Sequence, residues 1–328
     1  MENFRLGIIG TGWIADQMAN TVKGMNGVEL YAVASRKLET AQAFQSRYGV
    51  TKAYGSYEEM VSDDNVQLVY VATPHSHHYE NVMLCLDHKK PVLCEKAFTA
   101  TAWQAEEIIE RAHKENIFIT EAIWTRYMPL SKTIKETVDS GIIGTPKMIS
   151  ANLCYPNIDK PRMYLPELAG GALLDLGVYT LNFAAMIFGT DIEKTVSTAM
   201  MTDTGVDSQN NITLQYTNDR MAVLTSSNLV KSDRQGIISG DKGHIIVENI
   251  NNPERMTIVD NDYHVIKVVD CPKKVTGYEY QVYASMEVIR AGKIECPDMP
   301  HKETIRIMRQ MDELRKEWDV RYPWDRWE

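Results

Sequence analysis

Cysteine is scarce and poorly placed for cross-linking. Cys85, Cys94, Cys154, Cys271 and Cys296 are five in number, widely spaced, and form no CxxC pair. That pattern argues against a disulfide framework and fits a reducing cytoplasm, with the thiols as small core residues. Positive charge is in deficit as well, 35 Lys and Arg against 44 Asp and Glu, for a net charge of -9. Broad contact with nucleic acid or an anionic membrane is thereby disfavoured, and any phosphate must be held in a small dedicated site. Long uninterrupted apolar runs are also missing. The N-terminal run is broken by Gly7, Gly10 and Gly12 with no small-residue cleavage site after it, so no signal peptide is expected. The stretch 170–189 approaches membrane-spanning length but contains Asp175 and Asn182, which favours a buried helix. Neither internal repeats nor a low-complexity linker is present.

What is there is an ordinary globular composition, 44% hydrophobic and 24% charged over 328 residues, enough for two domains without a metal or disulfide staple. From residue 4 to about 120, short β-branched runs at 4–9, 29–34, 67–72, 92–94 and 117–120 alternate with helical periods at 14–25, 38–48, 78–87 and 103–115. This is the pattern of parallel strands joined by crossover helices, a doubly wound α/β sheet. One more amphipathic helix over 129–140 follows, and then short alternating segments dominate. Ile212, Leu214 and Tyr216 alternate with polar residues, Asn218-Asp219 marks a turn, and Met221, Val223 and Thr225 alternate again. Residues 1–120 are therefore expected to form a Rossmann domain, and 121–328 an α/β domain with an open, mostly antiparallel sheet. The helical stripe Ile305, Met308, Met311, Leu314 and Trp318 closes the chain.

Gly10-Thr11-Gly12-Trp13-Ile14-Ala15 sits between the first strand and the first helix. Gly10 suits a tight turn, Gly12 lets backbone approach a pyrophosphate, and Ala15 replaces the third glycine where helix and strand pack. The unpaired N–H groups of the helix N-terminus then face the phosphates. An NAD site ordinarily carries a carboxylate at the end of the second strand, and this chain has Ala34-Ser35-Arg36-Lys37 there instead. Ser35 and Arg36 can bond a 2′-phosphate, so NADP is the expected cofactor, with NAD possible.

Two further constellations carry chemistry. Glu95-Lys96 follows an apolar strand, where the ammonium either enters a cleft or forms an exposed ion pair. Asp175, Tyr179 and Asn182 fall at i, i+4 and i+7 of an otherwise apolar helix, which is either a thin solvent-facing edge or one wall of a polar cleft. The run His75-Ser76-His77-His78 with Cys85 and Cys94 fits no common zinc spacing, and no metal is expected. Trp124, Arg126, Tyr127, Tyr155 and Arg162 either line a substrate pocket or pack in the core.

Gly10 to Ala15, Thr73-Pro74, Cys94-Glu95-Lys96 and Gly171-Ala172-Leu173-Leu174-Asp175-Leu176-Gly177-Val178-Tyr179 resemble the Gfo/Idh/MocA family of glucose-fructose oxidoreductase and inositol dehydrogenase. Glu121 to Tyr127 and the Tyr179 form of the helix motif look more like its dimeric dihydrodiol and D-xylose dehydrogenase branch. The resemblance implies a dehydrogenase whose substrate is a cyclic polyol, aldose or diol, with the family's lysine at Lys96, its aspartate at Asp175 and its acid/base residue at Tyr179. It places Thr73, Pro74, His75, His78 and Glu95 along the cofactor and Trp124, Arg126, Arg162 and Tyr179 toward substrate. A homodimer through the second sheet is also implied. Departures are Ala97 for a common Pro, Thr101 for Asn, Lys89 for Gly and Asn182 for Asp. Free tyrosine ionises near pH ~10, so a working Tyr179 base needs roughly 3 to 4 kcal/mol of favourable electrostatics, which Lys96 would supply. The alternatives are a glycosidase that retains its nucleotide and a nucleotide-binding sensor without turnover.

Overall fold

The computed structural model describes residues 3–327. By contact density it divides into Met1–Ile123 with Lys274–Met308, and Trp124–Lys273 with Arg309–Glu328. The division expected from sequence assigns 274–308 to the second domain, whereas these residues cluster with the first.

In the first unit, β1 (Phe4–Ile9), α1 (Trp13–Lys23), β2 (Val28–Ala34), α2 (Leu38–Tyr48), β3 (Lys52–Tyr54), α3 (Tyr57–Val61), β4 (Leu68–Val71), α4 (His78–Asp87), β5 (Val92–Glu95), α5 (Ala102–Glu115) and β6 (Ile119–Ala122) follow one another. The six strands are all parallel, in the order β3-β2-β1-β4-β5-β6. Apart from the edge strand β3, their residues are buried almost throughout, as a sheet covered by helices on both faces requires. The order reverses between β1 and β4, so the crevice at their carboxyl ends is the expected ligand position.

The second unit begins with the 3-10 turn Trp124–Tyr127 and α6 (Pro129–Asp139). It continues through β7 (Pro146–Cys154), the short α7 (Pro161–Tyr164), a π-helical turn Leu173–Gly177 and α8 (Val178–Phe188). Seven more strands follow: β8 (Ile192–Met201), β9 (Asp207–Tyr216), β10 (Arg220–Ser227), β11 (Gly236–Gly240), β12 (Gly243–Glu248), β13 (Arg255–Asp260) and β14 (Val265–Asp270). Together with β7 they make an eight-stranded sheet, β14-β13-β12-β11-β7-β10-β9-β8, antiparallel except for the pair β7–β10. Alternation sends Ile212, Leu214 and Tyr216 of β9 inward. On β10 Ala222, Leu224 and Ser226 are buried, together with Ser227 at the strand's end, and it is Met221, Val223 and Thr225 that face outward. The inner face packs on α8, where the Phe188 and Tyr216 rings meet edge to face with centroids 5.3 Å apart.

After the sheet, α9 (Glu279–Arg290) packs with the first unit: Glu279 accepts the N–H groups of Val275, Thr276 and Gly277, and Thr276 meets Thr21 at 2.7 Å. The last helix, α10 (His301–Glu317), has its first residues in the first unit and its last in the second. The most apolar 18-residue stretch within Pro166–Phe188 is 94% buried inside the protein, so its hydropathy is that of a core helix.

Candidate active site

Gly10 follows β1 with φ +102°, and a Cβ there would stand 2.9 Å from the Ala72 carbonyl oxygen. Only glycine fits this turn. Gly12 caps α1 without a side-chain hydrogen bond, and a Cβ on it would meet no protein atom within 4 Å. The space beside Gly12 at the start of α1 is thus open, as an anion site at a helix N-terminus needs, while Ala15 is buried. Thr11 lies between the two glycines, Trp13 is exposed, and Ile14 is half-buried. Just beyond β2, Ser35 is half-buried and Arg36 and Lys37 are exposed, with no carboxylate between Ala34 and Leu38. These features suit a dinucleotide: a cradle at the glycines and a cationic side chain at the ribose end.

Around the ends of β4 and β5 the chain makes a dense polar network. His78 is completely buried, with Nδ1 2.9 Å from the Ala97 carbonyl and Nε2 2.8 Å from the Thr73 carbonyl. Burial outweighs these carbonyls and pushes its pKa down to about 4, with the Lys96 charge acting in the same direction. Both ring nitrogens are occupied by backbone, so His78 ties the loop after β4 to the loop after β5. His75 is buried with its ring 5.8 Å from that of His78, and Thr73 accepts a hydrogen bond from Asn81, beside the exposed Pro74. His77 pairs with Glu80 on the surface, and the Cys85 and Cys94 thiols are buried and pushed far up in pKa by desolvation. Glu95 is buried and accepts the hydroxyl proton of Tyr70 and, at 3.3 Å, the N–H of Lys96. Lys96 itself is half-buried, and its peptide bond to Ala97 is cis. Sequence reading passed over Tyr70, which looks like one more apolar residue of β4. A separate cavity of about 350 Å³ opens at the opposite, amino-terminal ends of β1, β4 and β5, among Phe4, Gln67 and Pro91, away from the glycine turn.

The second unit carries the other cluster. Asp175 is 5% exposed, Tyr179 8% and Asn182 1%, so the polar stripe is an inward wall and not a solvent edge. Asp175 sits in the π-helical turn, a distortion common at functional sites, and pairs at 2.9 Å with Arg162 of α7. Two hydrogen bonds join α8 to the 124–127 turn: the Trp124 indole N–H donates to the Tyr179 hydroxyl oxygen at 2.9 Å, and the Arg126 Nε–H to the Asn182 side-chain oxygen at 2.6 Å. The polar groups of Trp124, Arg126 and Arg162 thus engage residues of the helix motif. Tyr127 is buried, and Tyr155 accepts a hydrogen bond from Arg234.

Asp207 on β9 is a buried residue that sequence reading missed. Its carboxylate accepts the Leu173 N–H at 2.9 Å and an Asn210 side-chain N–H at 2.8 Å, and a Cβ on Gly171, where φ is +123°, would lie 2.3 Å from its other oxygen. Burial raises its pKa to about 6 against the lowering effect of these hydrogen bonds. The chain terminus braces the same turn. Fully buried Arg315 bonds both oxygens of Asp325, at 3.0 and 2.8 Å, and the Tyr322 hydroxyl donates to the Gly170 carbonyl.

Residues 4–122 match the oxidoreductase family with an NAD-binding Rossmann fold, Gfo/Idh/MocA, and residues 131–246 match the Gfo/Idh/MocA C-terminal domain. The chain is 33% identical over 325 residues to a trans-1,2-dihydrobenzene-1,2-diol dehydrogenase of Xenopus laevis, spanning 97% of this chain and 98% of the relative. It is 35% identical over 366 residues to a D-xylose 1-dehydrogenase (NADP(+)) of Hypocrea jecorina, spanning 97% and 92%. A solved 3-ketoreductase of Actinomadura kijaniata, in complex with NADP and TDP-benzene, shares the fold with a TM-score of 0.86 at 24% identity, over 96% of this chain and 98% of that one. Both domains are matched and the relatives align over nearly their whole length: the chain belongs to the Gfo/Idh/MocA oxidoreductase family and is an NAD(P)-dependent dehydrogenase acting on CH–OH donors.

Proposed function

We propose that this dehydrogenase prefers NADP and acts on a secondary alcohol or hemiacetal of a cyclic polyol, aldose or dihydrodiol, with Tyr179 as the acid/base. The observation that carries the reading is the buried Tyr179 hydroxyl in a matched helix motif, hydrogen-bonded by Trp124 and one turn beyond the Asp175–Arg162 pair. The bound nicotinamide supplies hydride exchange. Oxidation also requires the substrate oxygen to lose its proton, and Tyr179 as phenolate accepts it; in reduction the phenol returns it. Lys96 provides the positive charge that favours the phenolate, and Asp175 with Arg162 orients the substrate hydroxyls. Dihydrodiol and D-xylose dehydrogenases among the relatives support a small diol or sugar as the substrate.

The glycine turn and the N-terminus of α1 hold the pyrophosphate in this reading, with Thr73 to His75 and Glu95 along the nicotinamide side. Ser35 and Arg36 take the 2′-phosphate, in keeping with the NADP(+) of the D-xylose relative's name. The free thiols, of which Cys85, Cys94, Cys154 and Cys296 are buried, fit a reducing cytoplasm, and the apolar outer face of the second sheet fits a homodimer.

Reduced-cofactor absorbance against a panel of sugars, inositols and diols tests the reaction. Net NADPH formation is expected, Tyr179→Phe abolishes it while NADP still binds, and Arg36→Ala lowers the NADP/NAD ratio of kcat/KM by about tenfold or more. Near-normal turnover in Tyr179→Phe sinks the acid/base assignment. An unchanged ratio in Arg36→Ala sinks the cofactor assignment.

A further inference from the structure

We infer that Trp124 tunes the ionisation of Tyr179: its indole N–H, donated to the phenol oxygen at 2.9 Å, is a positioning group that stabilises the phenolate. The inference rests on the reading of Tyr179 as the acid/base and adds to it the group that sets the working pH. An indole nitrogen can only donate a hydrogen bond, so the phenol oxygen is the acceptor, and that polarity is fixed in every protonation state of Tyr179. Phenolate is a far stronger acceptor than phenol, so a fixed donor lowers the pKa of the group that it bonds.

The surroundings make this contact rigid. The indole is 6% exposed and the phenol 8%, so water competes little for either. Two residues further along the same 3-10 turn, Arg126 bonds Asn182 at 2.6 Å, and Asn182 in turn donates from its side-chain nitrogen to the Val178 carbonyl at 2.8 Å. The turn is thus fixed to α8 at positions 179 and 182, one helical turn apart, and the second bond holds the backbone that carries Trp124 beside the phenol. A tryptophan kept only for stacking on a substrate ring would not need its nitrogen aimed at the catalytic oxygen.

The test separates the N–H from the ring. Trp124→Phe keeps an aromatic face and removes the donor, and the benzothiophene analogue of tryptophan at position 124 keeps the whole bicyclic shape and removes it too. The pH dependence of kcat/KM for oxidation should show its Tyr179 limb displaced upward by about one pH unit in both variants, with the roughly tenfold loss at neutral pH recovered at high pH. A fall in amplitude with the limb unmoved, or a change confined to KM, overturns the inference. A second readout needs no turnover: the near-ultraviolet tyrosinate absorption of each protein is titrated and that of its Tyr179→Phe counterpart subtracted. The Tyr179 titration should move upward by the same amount when the N–H is absent, and an unmoved titration overturns the inference. Turnover surviving in Tyr179→Phe would instead remove the acid/base reading, leaving the absorbance titration to decide the effect of Trp124 on the phenol.

Discussion

The hydroxyl of Tyr322 donates to the backbone carbonyl of Gly170, so the end of the chain holds the start of the segment that carries Asp175 and Tyr179. Burial pushes the Tyr322 phenol far up in pKa, and it remains a donor throughout the working range. The tail is itself held by Arg315, whose guanidinium is fully buried against Asp325 and the Val320 carbonyl. Tyr322→Phe should cost about 1 kcal/mol of stability for one lost hydrogen bond. It should lower kcat several-fold, with NADP affinity unchanged. Asp325→Ala leaves a buried cation with Asp312, at 2.7 Å, as its remaining carboxylate partner and should cost about 2 kcal/mol. Denaturant titration and steady-state kinetics measure both. A tail that merely fills space predicts equal, small losses.

The two glycines of the nucleotide turn should fail in different ways. Alanine at Gly10 forces a left-handed residue against the Ala72 carbonyl 2.9 Å away, and Gly10→Ala should lose about 2 kcal/mol or more of stability even without cofactor. Gly12 has φ -82° and no protein atom within 4 Å of a Cβ position, so Gly12→Ala should fold with unchanged Tm. Its methyl group would occupy the approach to the pyrophosphate and raise the NADP Kd by about tenfold or more. Thermal melts with and without NADP distinguish the two. Equal stability losses in both variants would refute the separation of turn and cradle.

Most of the first unit was legible because its signals are local. Helices over 38–48 and 78–87 fall where the apolar period ends, and the expected strands lie within about two residues of β1, β2, β4, β5 and β6. β3 and α3 escaped notice because three and five residues carry no measurable period. In the candidate site the residues Asp175 and Tyr179 were visible as polar interruptions of an apolar helix, but the π-helical turn between them was not, since nothing in the residue types encodes an extra residue per turn. His78 was placed along the cofactor by resemblance alone, and that it ties two backbone loops together depends on which carbonyls surround it. Asp207, Arg315 and Tyr322 lie far from the motif in sequence, and only the fold brings them to its first turn. On β10 the alternation was plain and the buried side was not, because both parities include apolar residues.

Two buried groups should give the units opposite responses to acid. His78 has a folded pKa of about 4 against an ordinary 6.5, so the unfolded chain takes up the proton first. The stability from the neutral ring is complete above pH 6.5 and is lost as pH falls toward 4, to an extent of about 3 kcal/mol. Asp207 runs the other way: its folded pKa of about 6 exceeds the ordinary 3.8, so its contribution is fully present below 3.8 and is lost as pH rises through 6. Calorimetry between these limits should show His78→Gln flattening the acid loss and Asp207→Asn removing the opposing rise. If neither substitution changes the slope of stability against pH, these two residues do not set it.

The outer face of the second sheet offers a last expected outcome. Met148 on β7 and Met221 on β10 are paired in register, both are exposed, and Val196 and Met200 of β8 are exposed on the same sheet. An apolar surface of this kind on a sheet already covered on its other side is costly to leave in water and suits a second copy of the chain. Lysine at both methionines puts two like charges side by side at that interface, where desolvating them has no compensating partner. If the proposed homodimer forms through this face, the unmodified chain should sediment as a dimer and the double variant Met148→Lys, Met221→Lys as a monomer. Its unfolding free energy measured as monomer should change by less than about 0.5 kcal/mol per site, since neither side chain contributes to the core. A variant that remains dimeric at micromolar concentration would mean that the copies associate through some other surface.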